Sequence, residues 1–429
     1  MTRSPITLES PVIIVGGGIV GLALAQALKQ ASIPFQVYEW DPDLDASSRS
    51  GWAITIHWAL AALKECLPPA MFERLKDIQV DPEQGIKDTG KFLFLDMATA
   101  KPKYVIPPST RMRVNRGMLR GLLAQGIDVR WNKVASGFKV KSDDQHEWVE
   151  VSFEDGTITR GSLLIGADGA NSRTRRTLVG DDSASSLIPL PVKAMGVTMH
   201  MTPAQITPLR EIDPLLFQGC HPQTGVFLWY STVSTPEING SSGDSAFYEG
   251  QLIVSWRYTS PADQVPSTNA ARLAKMKAMV QPFEHRIKAA VEAIPDHDVD
   301  VLELKLQDWP TQAWDNRNGR VTLAGDAAHP MTMYRGEAFN HGITDAANLS
   351  RHLISVVTAT NSDEPSTRQT TSLREAVTKY ETELRTRGHD AALLSRQACL
   401  DAHDLHNLNS DSPLVSRRAR VLKPGVAVD

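Results

Sequence analysis

The chain has 429 residues, 41% of them hydrophobic, and 45 basic against 49 acidic residues give it a formal charge of −4. That length allows two domains or one large body with a sizeable core, and that charge gives no electrostatic reason to expect nucleic acid or an anionic membrane as partner. Three widely spaced cysteines argue against a disulfide framework or a Cys-rich metal site, and no apolar stretch reaches the roughly 18 to 20 residues of a membrane span, so we expect a cytoplasmic protein.

The first informative stretch has the pattern of a βαβ unit. A short apolar run predicts a buried parallel strand over Val12 to Val15, and the next apolar pattern predicts a helix over Ile19 to Gln30. A second strand is predicted over Phe35 to Tyr38. The whole unit fits the first half of a dinucleotide-binding domain.

Three glycines and one acid supply the chemistry of this unit. Gly16, Gly18 and Gly21 have the spacing G-x-G-x-x-G, which permits a tight turn, a close approach of pyrophosphate and close packing of the helix. The positive end of the helix then faces the phosphates. Glu39 ends the second strand, where its carboxylate can accept both hydroxyls of an adenosine ribose and would repel a 2′-phosphate. The unit therefore favours FAD or NAD over NADP.

The next part of the chain combines helices with short strands. A helix with leucines at helical spacing lies behind Arg116, and Arg49 and Gly51 stand at the mouth of a strand. Three strands with a hairpin turn at 154–156 predict a small antiparallel sheet. The predicted elements are a strand over Trp52 to Ile56, a helix over Ala59 to Leu67, and strands over Lys91 to Leu95, Val129 to Trp131, Trp148 to Phe153 and Thr157 to Arg160.

A second motif returns to the first domain. The strand Leu163 to Ile165 runs into a small-residue turn around Asp168 and Gly169. Arginines follow at positions 173, 175 and 176, and a solvated helix start explains them without any ligand.

From about residue 187 the pattern becomes β. Strands are predicted over Val192 to Met201, Gly225 to Thr232 and Gln251 to Tyr258, followed by one long amphipathic helix over Asn269 to Ile294. Alternation puts Tyr230 on one face of its strand and Trp229 on the other, and the pattern does not say which face lines a pocket.

Three side chains are candidates for work on the substrate. Tyr230 and Arg257 could hold a phenolate-like molecule, and His57 could act as a base. An aromatic core, a surface arginine and a structural histidine are equally good readings.

The third motif lies in residues 318–353. A buried strand over Val321 to Ala324 ends in Gly325 and Asp326, which places a carboxylate at the carboxyl edge of the sheet. A helix beginning near Glu337 or Ala338, after Arg335 and Gly336, offers a second N-terminus that can stabilise negative charge. Further helices are predicted over Thr344 to Val357 and Leu373 to about Leu400. Of the histidines that follow, His389, His403 and His406 fit no tight metal template, and no metal is expected.

Together these patterns predict an α/β protein with a Rossmann-like FAD-binding domain and an inserted mixed β-sheet domain for the substrate. The expected parts are residues 8–186 and 299–358 for the FAD-binding domain, 187–298 for the inserted sheet, and 359–429 for C-terminal helices and a tail.

The three motifs, GGGIVG with Glu39, GADGANSRTRR and AGDAAHPMTMYRGEAFNHGITDA, resemble those of the FAD-dependent monooxygenases of the aromatic-hydroxylase class. That group includes p-hydroxybenzoate hydroxylase and many fungal secondary-metabolite oxygenases. The resemblance covers about residues 10 to 395, with the motifs in the family's order.

The resemblance implies roles for the motif residues. Gly16, Gly18, Gly21 and Glu39 would carry the ADP part of FAD, while Asp168 and Gly169 would serve both FAD and the reducing nicotinamide. The remaining cofactor residues implied are Arg49, Gly51, Arg116, Gly325, Asp326, Gly336, Ala338 and Phe339.

The implied reaction uses O₂ and transient NADPH or NADH, and a flavin C4a-hydroperoxide transfers oxygen to an aromatic or polycyclic natural product, in a monomer or weak homodimer. Two positions depart from the family pattern, Met333 where a proline is common and Ala338 where a glycine is common. They give slight support to the alternative of an FAD-dependent oxidoreductase that does not insert oxygen. A flavin-binding protein without redox activity is a third hypothesis.

Overall fold

The computed structural model describes residues 10–45, 51–144, 146–180, 182–360 and 372–418. The strands are β1 Val12–Val15, β2 Phe35–Tyr38, β3 Ala53–Ile56, β4 Phe92–Asp96, β5 Lys101–Ile106, β6 Met112–Asn115, β7 Val129–Arg130, β8 Ala135–Ser142, β9 Glu147–Phe153, β10 Ile158–Gly161, β11 Leu163–Gly166, β12 Ile188–Pro189, β13 Val192–Met201, β14 Leu216–Cys220, β15 Phe227–Ser234, β16 Tyr248–Arg257, β17 Leu302–Leu304, β18 Gln307–Asp308 and β19 Val321–Leu323. The helices are α1 Ile19–Gln30, α2 Leu60–Cys66, α3 Pro69–Glu73, α4 Pro82–Lys87, α5 Arg116–Ala124, α6 Arg173–Val179, α7 Asp182–Ser185, α8 Pro203–Arg210, α9 Pro236–Asn239, α10 Asn269–Met279, α11 His285–Glu292, α12 Ala338–Thr360 and α13 Leu373–Asp401.

A five-stranded parallel sheet forms the base of the first domain, in the order β19-β11-β1-β2-β7. Its central strand β1 is fully buried, as its apolar sequence predicts, and helix α1 packs against it. The predicted β1, α1 and β2 are confirmed to the residue. The predicted α/β class with a Rossmann-like FAD-binding domain is confirmed as well.

Strand β7 corrects one prediction. The sequence pattern assigned it to the small antiparallel sheet, but β7 pairs in parallel with β2 at the edge of the five-stranded sheet. Helix α5 precedes it and provides the crossover that a parallel pair needs. The small sheet is instead completed by β8, which the pattern missed, in the order β10-β9-β8.

A seven-stranded mixed sheet forms the second layer, in the order β17-β13-β16-β15-β14-β4-β5. Strand β13 is confirmed to the residue, while β15 and β16 begin two and three residues away from their predicted starts. The sheet takes β4 and β5 from before residue 187 and β17 from after residue 298. The predicted range of 187–298 is therefore too narrow for this sheet, because β14 pairs in parallel with a strand from the first part of the chain.

The long helix predicted over residues 269–294 is two helices, α10 and α11. Pro282 lies between them. A proline removes the backbone donor and its ring meets the carbonyl four residues earlier, so a proline in the middle of a long helix kinks or breaks it. Both helices pack their apolar faces on one side of the seven-stranded sheet, where Leu273, Met276 and Ile287 are buried.

The other face of the seven-stranded sheet looks toward the first domain. Helices α12 and α13 pack in the core of the first domain, and the C-terminal end of α13 packs against the seven-stranded sheet. Two short strand pairs, β3 with β6 and β12 with β18, lie outside the large sheets. None of the helices in the described ranges is both long and apolar enough to cross a membrane.

Candidate active site

The carboxyl ends of β1, β11 and β19 meet at one edge of the parallel sheet, and a cavity of about 700 Å³ extends from this edge to the seven-stranded sheet. Edges of this kind are where parallel α/β sheets bind ligands. All three sequence motifs contribute to its walls. The cofactor residues predicted from the sequence that line it are Gly16, Gly18, Glu39, Arg116, Asp168, Gly169, Asp326, Gly336, Ala338 and Phe339.

The three glycines of the first turn have different local surroundings. Gly16 has φ +116°, and a Cβ there would lie 2.2 Å from the carbonyl oxygen of Ala167. A Cβ on Gly21 would lie 2.0 Å from the carbonyl oxygen of Gly16. Around Gly18, by contrast, a Cβ would meet no atom within 4 Å, because this position faces the cavity. The first and third glycines are thus required by packing, and the second leaves space open.

Glu39 is buried beside this turn and lines the cavity. Its Oε2 accepts from the backbone N–H of Gly17, and its Oε1 accepts from the N–H of Asp41 at 3.0 Å. Arg120 completes the group, because its Nε donates to the Gly17 carbonyl at 3.0 Å and its Nη1 lies 2.8 Å from Asp41 Oδ2. These contacts fix the carboxylate at the end of β2.

Asp168 lines the cavity, and its carboxylate also organises the turn after β11. Oδ1 accepts from the Ser172 hydroxyl at 2.5 Å, and Oδ2 accepts from the backbone and hydroxyl of Thr174, each at 3.0 Å. Arg175 is buried and donates to the carbonyls of Ala170 and Ala327, at 2.6 and 3.0 Å. Arg175 is therefore not part of a solvated helix start, as the sequence pattern had allowed for all three arginines. Its hydrogen bonds connect the second motif to the third.

The turn after β19 is held by a buried charge group. The N–H of Gly325, which has φ +62°, donates to Asp345 Oδ2 at 2.7 Å. His329 Nε2 lies 2.6 Å from the same oxygen, and Arg387 of α13 donates to Oδ1 at 2.6 Å. Burial alone would raise the pKa of Asp345, but His329 and Arg387 lower that pKa to about 2. The carboxylate therefore stays charged, and it positions the backbone next to Asp326.

The N-terminus of α12 closes the inner side of the cavity. Gly336 has φ +64° and turns the chain into the helix, which begins at Ala338 with ordinary backbone angles. Asn340 holds this end against β3, because its Oδ1 accepts from the His57 N–H at 3.0 Å and its Nδ2 donates to the Thr55 carbonyl at 3.1 Å.

His57 is buried behind this helix end and does not line the cavity. Its Nε2 lies 3.2 Å from Asn340 Nδ2 and 3.4 Å from the Gly336 carbonyl. Burial lowers the pKa of His57 to about 4, so the ring is neutral at neutral pH. The structure therefore places His57 behind the cavity wall, and its role as a base stays a prediction from the sequence.

The opposite end of the cavity is formed by the seven-stranded sheet. Trp229 of β15 and Gln251 and Ile253 of β16 face the cavity, and Arg113 of β6 lies beside them. Met331 and Met333 come from the loop before α12. This end of the cavity is mainly apolar, with one buried guanidinium.

Two predicted substrate residues lie elsewhere. Tyr230 points away from the cavity, because its neighbour Trp229 points into it and side chains alternate along a strand. Its hydroxyl bonds to Thr232 at 3.1 Å, and burial raises its pKa well above the usual range. Arg257 lies further along β16, past Ser255, whose hydroxyl accepts from the Tyr334 hydroxyl. The Arg257 guanidinium donates to the Leu400 carbonyl at 2.9 Å. Neither side chain lines the cavity, and their roles toward the substrate stay predictions from the sequence.

Three further predicted cofactor residues, Gly21, Gly51 and Gly325, are described and do not line the cavity directly. Gly21 and Gly325 lie behind its wall, and Arg49 lies outside the described residues. The Gly51 carbonyl accepts from Thr198 at 2.8 Å and from Gln251 at 3.2 Å, so the segment before β3 is attached to the seven-stranded sheet.

The sequence does not single out Arg113, Arg120 or Gln251 as cavity residues, and it leaves open whether Trp229 or Tyr230 faces a pocket. A signal existed for Arg120, because it follows Arg116 by four residues and shares its helix face. No comparable signal exists for Arg113 and Gln251, since they come together only when the two sheets have packed.

The geometry of the cavity fits an FAD molecule. It is long enough to join the glycine turn to the second sheet, and Gly18 leaves open the space that a side chain would fill. Because Gly18 is the N-cap residue of α1, the first amide groups of that helix have no side-chain cap and can meet a phosphate. In the part of the chain that is described, no cluster of three or more potential ligands could hold a metal ion.

Comparisons with known proteins agree with this geometry. The profile of a family described as FAD binding domain matches residues 91–379. The chain is 57% identical over 359 residues to the FAD-dependent monooxygenase dbaB of Emericella nidulans, which covers 83% of this chain and 90% of that protein. It is 39% identical over 419 residues to a protein of Arthroderma benhamiae named "Probable FAD-dependent monooxygenase", covering 95% of each.

A solved structure shows the same fold. The 2,6-dihydroxypyridine-3-hydroxylase from Arthrobacter nicotinovorans superposes with a TM-score of 0.70 at 18% identity, over 99% of this chain and 100% of that chain.

Proposed function

The chain belongs to the family of FAD-dependent monooxygenases, and we propose that it uses NAD(P)H and O₂ to hydroxylate, epoxidise or oxidatively rearrange an aromatic or polycyclic natural product. The observation that carries this proposal is that one continuous cavity is lined by residues of all three motifs and by the apolar end formed by the seven-stranded sheet. A cofactor and a substrate can meet in such a cavity.

The cofactor would be held mainly by backbone groups. The amides that follow Gly18 would receive the pyrophosphate, and Glu39 would accept from the ribose. Arg116 and Asp326 line the space between these groups and α12. When bound, FAD supplies the activation of O₂ and the transfer of one oxygen atom.

The chain's own residues would control charge and water at the reacting end. The N-terminus of α12, at Ala338 and Phe339, directs its positive end toward the cavity and would stabilise negative charge on the flavin ring. Ile253, Met331 and Met333 would keep water away from the reacting atoms. The chain holds no second G-x-G-x-x-G, so the nicotinamide would dock only transiently.

Oxygen labelling tests this function. The FAD-loaded protein is supplied with NADPH or NADH under ¹⁸O₂ and a panel of phenolic and indolic compounds. We expect at least one compound to accelerate NAD(P)H oxidation and to gain one labelled oxygen atom per NAD(P)H consumed, as measured by mass spectrometry.

A substrate that is oxidised without gaining label would instead establish the oxidoreductase that does not insert oxygen. No flavin absorbance after reconstitution with FAD would contradict both functions.

A further inference from the structure

Arg113 is a buried guanidinium at the apolar end of the cavity, and it is only 4% exposed. Its Nη1 donates to the Thr55 hydroxyl at 2.7 Å, and its Nη2 donates to the Ser231 hydroxyl. Its central carbon lies 5.9 Å from the ring centre of Trp229. All three partners are neutral, so they orient the guanidinium without balancing its charge.

Within the described ranges no acid forms an ion pair with Arg113. No carboxylate there lies within 4.0 Å of Arg113, and its Nε has no acceptor. Asp213 is the acid whose charge acts on it, but its Oδ1 accepts from the backbone N–H groups of Leu215 and Leu216. Arg111 adds a second positive charge nearby and is itself paired with Asp88.

An unbalanced buried cation has a high energetic cost. Burial and the neighbouring Arg111 lower the pKa of Arg113 to about 9, which still leaves it charged at neutral pH. A molecule that brings a negative oxygen to this point would remove the imbalance, and charge-assisted hydrogen bonds to a guanidinium are among the stronger ones available.

The walls around Arg113 indicate what carries that oxygen. Trp229 presents an aromatic surface to the cavity, and the Phe92 ring packs edge-on against it with the ring centroids 5.7 Å apart. Ile253 adds an apolar side chain. Gln251 is held in place by the Gly51 carbonyl. A flat aromatic ring with one acidic group fits these neighbours better than a neutral or cationic molecule does.

Building on the proposed monooxygenase function, we propose that Arg113 is a specificity-determining residue that binds a carboxylate or ionised phenol of an aromatic substrate lying against Trp229. The sequence offers Tyr230 and Arg257 as candidates for holding a phenolate-like molecule, but Arg257 lies outside the cavity.

The test compares paired probes on the FAD-loaded protein. Hydroxynaphthoate is compared with hydroxynaphthamide, and naphthol with methoxynaphthalene, by the change that each causes in the flavin absorbance spectrum. We expect the unaltered protein to bind the acidic member of at least one pair about 10- to 100-fold more tightly. Arg113→Met should remove this preference, Arg113→Lys should retain part of it, and Arg257→Met should leave it unchanged.

Three results would overturn the proposal. The first is equal affinity of the unaltered protein for both members of each pair. The second is loss of the preference in Arg257→Met together with its retention in Arg113→Met, and the third is a fall in FAD affinity of tenfold or more in Arg113→Met. The first result does not require any variant to fold. Because the probes are scored by binding, the proposal can fail while ¹⁸O incorporation succeeds, and the reverse also holds.

Discussion

The two ends of the cavity are built in different ways. The cofactor end is lined largely by three short stretches of the chain, at residues 16–20, at residues 167–169 and at Ala324 with Asp326. The substrate end consists of side chains that come from separate elements, such as Arg113 of β6 and Trp229 of β15. A ligand site made of local backbone turns leaves a spacing in the sequence, whereas a site made of side chains across a sheet does not. The predictions below test this contrast.

The largest effect is expected from Gly16→Ala. The new Cβ would meet the Ala167 carbonyl, and the backbone has a positive φ that alanine rarely adopts. We expect the free energy of unfolding to fall by about 3 kcal/mol or more, with loss of FAD retention. Chemical denaturation and flavin absorbance after gel filtration measure the two effects.

Gly18→Ala is the matched control. Nothing lies within 4 Å of its Cβ, so the free energy of unfolding should change by less than about 0.5 kcal/mol while FAD binds more weakly. Equal stability of the two variants would contradict the view that packing fixes the cofactor end.

The second largest effect concerns pH. The pKa of His57 is lowered by burial to about 4, whereas an unfolded chain has a histidine pKa near 6.5. As the pH falls from 6.5 to 4, His57 becomes protonated in the unfolded state but stays neutral in the folded state. The free energy of unfolding therefore decreases over this pH range. This group should contribute about 3 kcal/mol to that decrease. Urea denaturation at several pH values measures it, and His57→Asn should flatten the curve.

His403, which follows the end of α13, provides the comparison. It is buried, its Nε2 lies 2.9 Å from Ser255 Oγ, and its pKa is also lowered by burial to about 4. His403→Asn should flatten the same pH range. An unchanged pH dependence in both variants would show that these rings do not control acid stability.

A smaller effect is expected from Glu39→Gln. Loss of the carboxylate charge weakens the hydrogen bonds that it would accept from the ribose, and FAD affinity should fall about tenfold. Asp41→Asn is the control, because it removes a charge beside Arg120 and leaves the bond from Gly17 to Glu39 in place. Equilibrium titration with FAD distinguishes them, and identical losses would argue against a ribose role for Glu39.

The smallest effect is expected from Tyr230→Phe. Only the hydrogen bond to Thr232 is lost, so the free energy of unfolding should fall by about 1 kcal/mol and turnover should change less than about twofold. Trp229→Leu is the contrasting variant, and it should weaken the binding of naphthol about tenfold. A large loss of kcat in Tyr230→Phe would instead support the predicted role of Tyr230 in binding the substrate.

The same contrast explains which parts of the fold and of the site could be predicted from the sequence. The unit from Val12 to Glu39 was predicted correctly, because periodicity, glycine spacing and the terminal acid are all local signals. The prediction of one continuous helix over residues 269–294 overlooked a local signal, Pro282. Which of Trp229 and Tyr230 faces the cavity depends on how the second sheet packs on the first domain, and alternation alone leaves both choices open.

The link from Arg387 through Asp345 to the backbone of Gly325 has a consequence for synthesis of the protein. The cofactor end begins with Gly16, but the arginine that balances Asp345 is made about 370 residues later. At translation speeds of 5 to 20 residues per second, this interval lasts on the order of half a minute. The nascent chain therefore carries the glycine motif long before its flavin site is complete, and a chain released before α13 would lack the arginine that pairs with Asp345.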